Sequence, residues 1–164
     1  MATTYEKIAT TTLGSATASI NFTSIGSGYT DLRVVLVCVD TTTFPQVRFN
    51  SDSGSNYSWT YLSGNGTAAQ SGRFTNQTEF YNNISGSSTV PFMTTYDIFS
   101  YAGSTYKTML FNEVNDKNGS GVISPKVGLW RSTSAITAVN LKADIYGTTF
   151  GAGTTATLYG ILKA

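Results

Sequence analysis

The chain has 164 residues, of which only 12% are charged, and its net charge at neutral pH is +1. This length suits one well-buried domain spanning residues 1–164 and is short for two domains. A nearly neutral chain without a basic run lacks the long-range field that holds nucleic acid or an anionic membrane, so neither is expected as a partner.

The N-terminal residues have the character of strands rather than of a targeting segment. The chain begins MATTYEKIATTT, with no basic and no apolar stretch, and no run of 18 apolar residues occurs. TYEKIATTTL and ATASINFTSI both favour strands, with Gly14 and Ser15 at the turn between them. We expect residues 1–13 to form an edge strand or an N-terminal arm that pairs with the exposed edge of a neighbouring copy.

The segment LRVVLVCVD at 32–40 predicts the central strand of a packed β structure. Four valines that are stiff at χ1, together with turn residues on either side, favour a strand over a buried helical turn. Apolar side chains occupy both faces: one face should pack on an opposing sheet, and the other needs a cover from this chain or from another subunit. The predicted core residues are Leu32, Val34, Leu36 and Cys38 on one face and Val35, Val37 and Val39 on the other.

Further strand segments follow at intervals of about eight to twelve residues. Between residues 63 and 88 the pattern weakens, which predicts long loops around one or two short strands. Gly103-Ser104 and Asn118-Gly119 predict hairpin turns. The remaining predicted strands lie in QVRF, YSWTYL, FMTTYDIFSYA, YKTMLFNEV, VISPKVGLWRS, AITAVNLKADIYG and TTATLYGILK. About ten short strands without a convincing helix predict an all-β fold, an antiparallel β-sandwich or jelly roll.

The residue types do not favour catalysis, a metal or a cofactor. There is no histidine, and the one cysteine, Cys38, lies in the most apolar segment, so triads of the usual form are excluded. Asp97 and Glu113 could meet across strands as a glycosidase pair, but such acids are more often unrelated surface groups. The turns around Asp52 and Asp116 offer alternate oxygens as calcium loops do, yet tight β turns select the same residues. We expect a protein that is not an enzyme, with no catalytic or metal-binding residue.

Four aromatic residues are candidates for a subunit interface or for ligand stacking. Tyr57, Trp59 and Tyr61 share one face of a predicted strand, and Trp130 stands alone. Such rings beside polar amides bind hexoses in lectin-like surfaces, and they are also enriched at interface centres. The same rings can fill a sandwich core, and the sequence favours core or interface over a sugar site.

Several segments resemble a known family. VRFNSDSGSNYSWTYLSGNGT at 47–67, GLWRSTSAIT at 128–137 and ATLYGILK at 156–163, with YEKIATTTL and YTDLRVVL near the start, are similar to small virion structural proteins of tailed double-stranded-DNA bacteriophages, particularly phages of cyanobacteria and aquatic bacteria. The similarity runs nearly from end to end and is weakest at 68–90. It implies a β-sandwich module used as a capsid decoration (cement) protein or as part of a tail fibre.

The resemblance implies a location as well as partners. We expect a decoration protein on the outer capsid surface of the virion, a homotrimer that binds itself and the major capsid protein. One alternative is a tail-fibre or receptor-binding component on the virion tail, and a second is a carbohydrate-binding module for a host surface glycan. No coiled-coil or repeat stalk is visible, which favours decoration over a fibre. Low charge and many apolar residues independently suit a chain that ends in an assembly.

Overall fold

The structure, a computed structural model, describes residues 4–39, 43–82, 84, 90–143 and 147–162. Within these ranges the chain forms twelve β-strands and no helix, so the all-β prediction is confirmed. In chain order the strands are β1 (Tyr5–Thr12), β2 (Ser19–Phe22), β3 (Asp31–Cys38), β4 (Gln46–Phe49), β5 (Tyr57–Gly64), β6 (Ala69–Gln77), β7 (Phe80–Tyr81), β8 (Phe92–Phe99), β9 (Lys107–Asp116), β10 (Gly121–Trp130), β11 (Val139–Lys142) and β12 (Thr155–Ile161).

The strands form two antiparallel sheets that share one core. The large sheet has eight strands in the order β1-β12-β3-β8-β9-β10-β5-β6, and the small sheet has four in the order β2-β11-β4-β7. Apolar residues of both sheets belong to the same buried cluster. This arrangement is a β-sandwich, as the strand pattern predicts, while its finer assignment to a jelly roll stays a prediction.

Strand β3 lies inside the large sheet, between β12 and β8. Its inward side chains, which are completely buried, are those of Leu32, Val34, Leu36 and Cys38. The other predicted core face is only half-buried and comprises Val35, Val37 and Val39. The prediction for segment 32–40 is therefore right for one face of the strand, and the second face has no complete cover from the described part of the chain. Asp40, the last residue of that segment, lies outside the described residues.

The two predicted hairpins are present. β8 pairs with β9, and β9 pairs with β10 over its whole length. In the second turn Asn118 and Gly119 have φ angles of 52° and 119°, and the Lys117 amide donates to the Ser120 carbonyl at 2.7 Å. Positive φ at both central residues matches the twist of the flanking strands, which explains the Asn-Gly pair at this turn.

Aromatic rings from both sheets fill the space at one end of the core. Phe49 of the small sheet lies 5.5 Å from Trp130 and 5.8 Å from Phe80, measured between ring centroids. Tyr57 of the large sheet meets Phe80 edge to face at 5.0 Å. A Cβ on Gly128 would come within 2.5 Å of the Phe80 ring, so only glycine allows this close approach. Burying a large apolar side chain contributes about 1.5–3 kcal/mol, so such a cluster holds the two sheets together.

One feature differs from the sequence predictions, and one open alternative is decided. The weakly patterned segment 63–88 contains β6, a nine-residue strand paired along β5, rather than only loops and short strands. As an edge strand, β6 is exposed on most positions, so burial does not impose an alternating pattern on it. β1 pairs with β12 of its own chain from Tyr5↔Ile161 to Thr12↔Thr155 and stands at the edge of the large sheet, so the edge-strand alternative predicted for residues 1–13 is the one observed.

Candidate functional site

The outward face of the large sheet is the most unusual surface of the protein. Side chains alternate along each strand, so the residues that do not point at the small sheet point away from it. We call the outward side chains of β3, β8, β9, β10 and β5 the open face, because no described element of the chain packs over them. These five strands are adjacent in the sheet.

Apolar side chains form two groups on the open face, with the polar pair Thr95 and Asn112 in the row between them. Val37, Met93, Val114 and Ile123 lie opposite one another across four neighbouring strands. Leu110 of β9 pairs with Val127 of β10, four residues from the Val114–Ile123 pair of the same hairpin. The exposed large side chains of the face are Leu62 (58%), Ile123 (55%), Leu110 (48%), Val127 (45%), Met93 (41%) and Phe99 (37%). Exposed apolar side chains on several neighbouring strands are of the kind that marks interaction sites.

Charge on the open face is limited to one ion pair and two carboxylates at strand ends. Arg33 Nε lies 2.7 Å from Asp97 Oδ1, and Arg33 Nη2 donates to Asp97 Oδ2 at 3.0 Å, which is a bidentate ion pair. The Arg33 guanidinium also lies 5.8 Å from the centroid of the Tyr5 ring. The remaining charged residues of the face, Asp31 and Asp116, stand at strand ends. The centre of the face therefore carries no net charge.

An open groove of about 680 Å³ adjoins one end of the open face. Met93, Val114 and Ile123 line it together with the β5–β6 and β9–β10 turns. Its polar side chains are already engaged: Asn65 Oδ1 accepts from the Thr67 amide at 3.0 Å, and Asp116 Oδ1 accepts from the Asn118 amide at 2.8 Å. The groove thus offers apolar contact area rather than convergent polar groups for a small ligand.

The outward face of the small sheet has the opposite character. Asn140 Nδ2 donates to Asn21 Oδ1 at 3.0 Å across neighbouring strands. Arg48 Nε and Lys142 Nζ lie 3.0 and 2.9 Å from Oε2 of Glu79, whose side chain is almost fully buried. These polar groups bond to one another, so this face presents few exposed apolar side chains.

Between the sheets lies an ion pair that no ligand reaches. Lys126 and Glu113 are inward residues of β10 and β9, and both side chains are fully buried and in contact. Lys126 Nζ also donates to the Tyr81 carbonyl at 3.1 Å and stands 5.2 Å from the centroid of the Phe111 ring. Desolvation lowers the pKa of Lys126, although Glu113 acts in the opposite direction. The pair is part of the packing of the sheets.

The acids considered as a glycosidase pair do not face each other. Asp97 lies on the open face and is bound to Arg33, whereas Glu113 points into the core. No group of three or more potential metal-ligating side chains occurs among the described residues. In the first candidate calcium turn, Asp52 Oδ1 accepts from the Gly54 amide at 2.8 Å and its Oδ2 accepts from Asn56 Nδ2 at 2.9 Å. Asp52 is therefore used to hold its own turn.

Three of the four candidate aromatic residues are in the core. Tyr57, Trp59 and Trp130 expose 3% or less of their surface, so none presents a ring to a partner or to a sugar. Trp130 Nε1 donates to Asp52 Oδ2 at 2.7 Å. Partial burial raises the pKa of Asp52, but hydrogen bonds from Asn56, Trp130 and Gly54 outweigh it and leave the pKa below its usual value. The sequence pattern correctly groups Tyr57 and Trp59 on one face, but that face is the covered one.

Tyr61 is the candidate aromatic that stays partly accessible. Beside it, Phe74 is 40% exposed and stacks on Trp59 with 4.8 Å between ring centroids. The Tyr61 ring packs over the backbone of Gly72 and lies 6.1 Å from the Phe74 ring. These two rings, Tyr61 and Phe74, form an aromatic ledge at the β5–β6 edge of the large sheet. The sequence does not indicate Phe74 as a site residue, because its segment has no strand pattern.

Comparisons with known proteins give no family for this chain. No protein-family model matches it, and no curated protein matches it. No helix of the described residues is long and apolar enough to cross a membrane.

Proposed function

We propose that the protein is a non-enzymatic structural component of a bacteriophage virion, a capsid decoration (cement) protein that binds the outer capsid surface and stabilises the shell. Its partners are other copies of itself, expected as a homotrimer, and the major capsid protein. The phage context comes from the sequence resemblance of segments 47–67, 128–137 and 156–163. The structural role is supported by the surface of the sandwich.

The observation that carries the structural role is the open face. Apolar side chains exposed across five strands are unfavourable for a protein that stays alone in solution. Within an assembly the same side chains are removed from water, at about 25 cal/mol for each square ångström of apolar surface. Because the centre of the face carries no net charge, covering it does not strand an unpaired ion.

Attachment through several copies explains how such a protein stabilises a shell. The copies of an oligomer can each bind a different capsid subunit. Once one copy is bound, the other copies are held close to their own binding sites, so their effective concentration is high. Capsid subunits held in this way separate less readily under heat or chelation.

Counting copies on purified particles tests the proposal. We expect electron microscopy with antibody labelling to show the protein distributed over the whole shell in many copies. Particles without the protein should lose their genome at a lower temperature than complete particles. Labelling confined to the tail would instead support the tail-fibre or receptor-binding alternative, and absence from the particle would refute a virion role.

The aromatic ledge supports a second candidate, a carbohydrate-binding module. Sugars stack on exposed aromatic rings, and Phe74 and Tyr61 present such rings at a sheet edge. A glycan array followed by titration calorimetry tests this candidate. Saturable binding that Phe74→Ala abolishes would support it, with Phe99→Ala on the open face as the matched control.

A further inference from the structure

We propose that the open face is covered by a second copy of this chain. This inference rests on the proposed structural function and names the partner of that surface. Because two identical faces meet, the contact has twofold symmetry and gives a dimer in place of the homotrimer that the resemblance implies. It places the self-association surface on β3, β8, β9, β10 and β5, not on the aromatic residues that the sequence suggests. Three observations support this choice: the arrangement of apolar and polar residues, the distribution of charge, and the available area.

The large sheet resembles a protein interface in having its exposed apolar side chains on the inner strands and polar residues on both sides. Thr95, Asn112 and the Arg33–Asp97 pair lie among the apolar residues. On one side of the centre, the outward residues of β1 and β12 are rich in threonine. Thr10 and Thr157 are hydrogen-bonded at 3.1 Å, as are Thr12 and Thr155 at 3.3 Å. On the other side, Arg73 of β6 donates to Thr60 at 3.2 Å. Interfaces between proteins have this anatomy, whereas small-ligand sites are concave with a few convergent polar groups.

The charge distribution fits a copy of the same face. A face with an excess of one charge repels itself and requires a partner of opposite charge. Here Arg33 and Asp97 neutralise each other within 2.7 Å, and Asp31 and Asp116 lie at strand ends. Asp31 Oδ1 accepts from the Ser100 amide, and Asp116 Oδ1 accepts from the Asn118 amide. Two copies can therefore bring their apolar centres together without an unpaired charge between them.

The area of the open face is sufficient for a stable contact. Five strands about 4.8 Å apart, each contributing about seven residues at roughly 3.3 Å, span on the order of 550 Å² before side-chain relief is counted. Two such faces exceed the total of about 1,000 Å² that separates specific interfaces from incidental contacts. Sheets pack face to face about 10 Å apart in sandwich cores, and the same geometry is open to two copies.

Analytical ultracentrifugation of the full-length chain and of two open-face variants tests the inference. Leu110→Glu and Val127→Glu each place a carboxylate in the apolar centre, at side chains that are 48% and 45% exposed, so the fold should tolerate them. The parent chain should sediment above the 17.5 kDa monomer mass at micromolar concentration. Each variant should raise the dissociation constant by at least about 30-fold, the size of a hot-spot loss.

Asn21→Glu is the matched control, because it adds the same charge to an exposed position on the outward face of the small sheet. It should leave the assembly intact, and circular dichroism should show the same β signal for all variants. A monomeric parent chain, or open-face variants that remain assembled, would overturn the inference. If association behaves as expected but particles lack the protein, the proposed virion function fails while the interface stands.

Discussion

The two faces of the large sheet differ in one respect, their cover. Inward side chains such as Leu36 and Tyr96 are completely buried, while outward ones such as Leu110 and Ile123 expose about half of their surface. Both faces carry large apolar side chains on several neighbouring strands. The comparison teaches that apolar residues at alternate positions identify a sheet face that should be removed from water. They do not show whether this chain or a partner covers that face. Substitutions on the two faces should therefore affect different properties: stability on the inward face and association on the outward face.

The largest effect is expected from the buried ion pair on the inward face. Lys126→Met removes the ammonium beside the buried Glu113 carboxylate and should lower the free energy of unfolding by about 3–5 kcal/mol. Urea denaturation measures this change. The double variant Lys126→Met with Glu113→Leu should be less destabilised than the single variant, because replacing both charges leaves none behind. A double variant with summed losses would contradict this account.

Leu36 and Val35 compare the two faces on a single strand. Leu36→Ala leaves a cavity in the close-packed interior and should cost about 2–5 kcal/mol of unfolding free energy. Val35→Ala, on the half-buried outward side, should cost less than about 1 kcal/mol in dilute solution, where the chain is not associated. Equal losses in thermal or urea unfolding would remove the distinction between the faces.

Alkaline pH tests the burial of two inward tyrosines. Burial raises the pKa of Tyr57 and Tyr96 well above the usual 10.0, so both stay neutral in the folded protein while they ionise in the unfolded chain. Their contribution to stability is complete below pH 10 and is lost as pH rises further. Burial lowers the pKa of Lys126 and Lys107. These two lysines make the unfolding free energy rise with pH, up to about the usual lysine pKa of 10.5.

The slope of stability should therefore be measured above pH 10.5. There we expect the unfolding free energy to fall by about 1.4 kcal/mol per pH unit for each of the two tyrosines. Tyr96→Phe should reduce this slope by about 1.4 kcal/mol per pH unit. It also removes the hydrogen bond from Asn82 to the hydroxyl, which lowers stability at every pH. An unchanged slope in Tyr96→Phe would show that this hydroxyl ionises in the folded protein.

The smallest effect on stability is expected on the open face. Leu110→Ala removes a half-exposed side chain and should change the unfolding free energy of the dilute monomer by about 0.5 kcal/mol or less. The same substitution should weaken self-association, since Leu110 lies near the centre of the face. A large loss of monomer stability would indicate that the chain itself covers this residue.

The sequence predicts the fold class well because the strands alternate strongly. Period-2 patterns in segments 92–102 and 106–114, together with Asn118-Gly119, suffice for the hairpins around the centre of the large sheet. β6 escapes detection because an exposed edge strand is held by backbone hydrogen bonds, which carry no side-chain signature.

The surface is harder to predict than the fold. Tyr57 and Trp59 do share a face, but the pattern cannot tell which face the small sheet covers, since that depends on pairing between distant strands. The signal that segment 32–40 shows, apolar residues on both faces, extends to β9 and β10, where Leu110 and Val127 stand at outward positions of strands whose inward positions are also apolar. Apolar residues at both alternations of several neighbouring strands indicate a second contact surface.

Cys38 ends the inward row of β3, where its thiol has no accessible surface and Thr154 Oγ1 lies 3.8 Å from its sulfur. It is the one cysteine of the chain. A thiol reagent reaches this sulfur only when the centre of the sandwich opens, so the labelling rate in native buffer measures how often it opens. Because a single label is added per chain, intact mass counts the opened molecules directly. Labelling should be slower when a second copy covers the large sheet, because opening of the sandwich then also requires the loss of that cover.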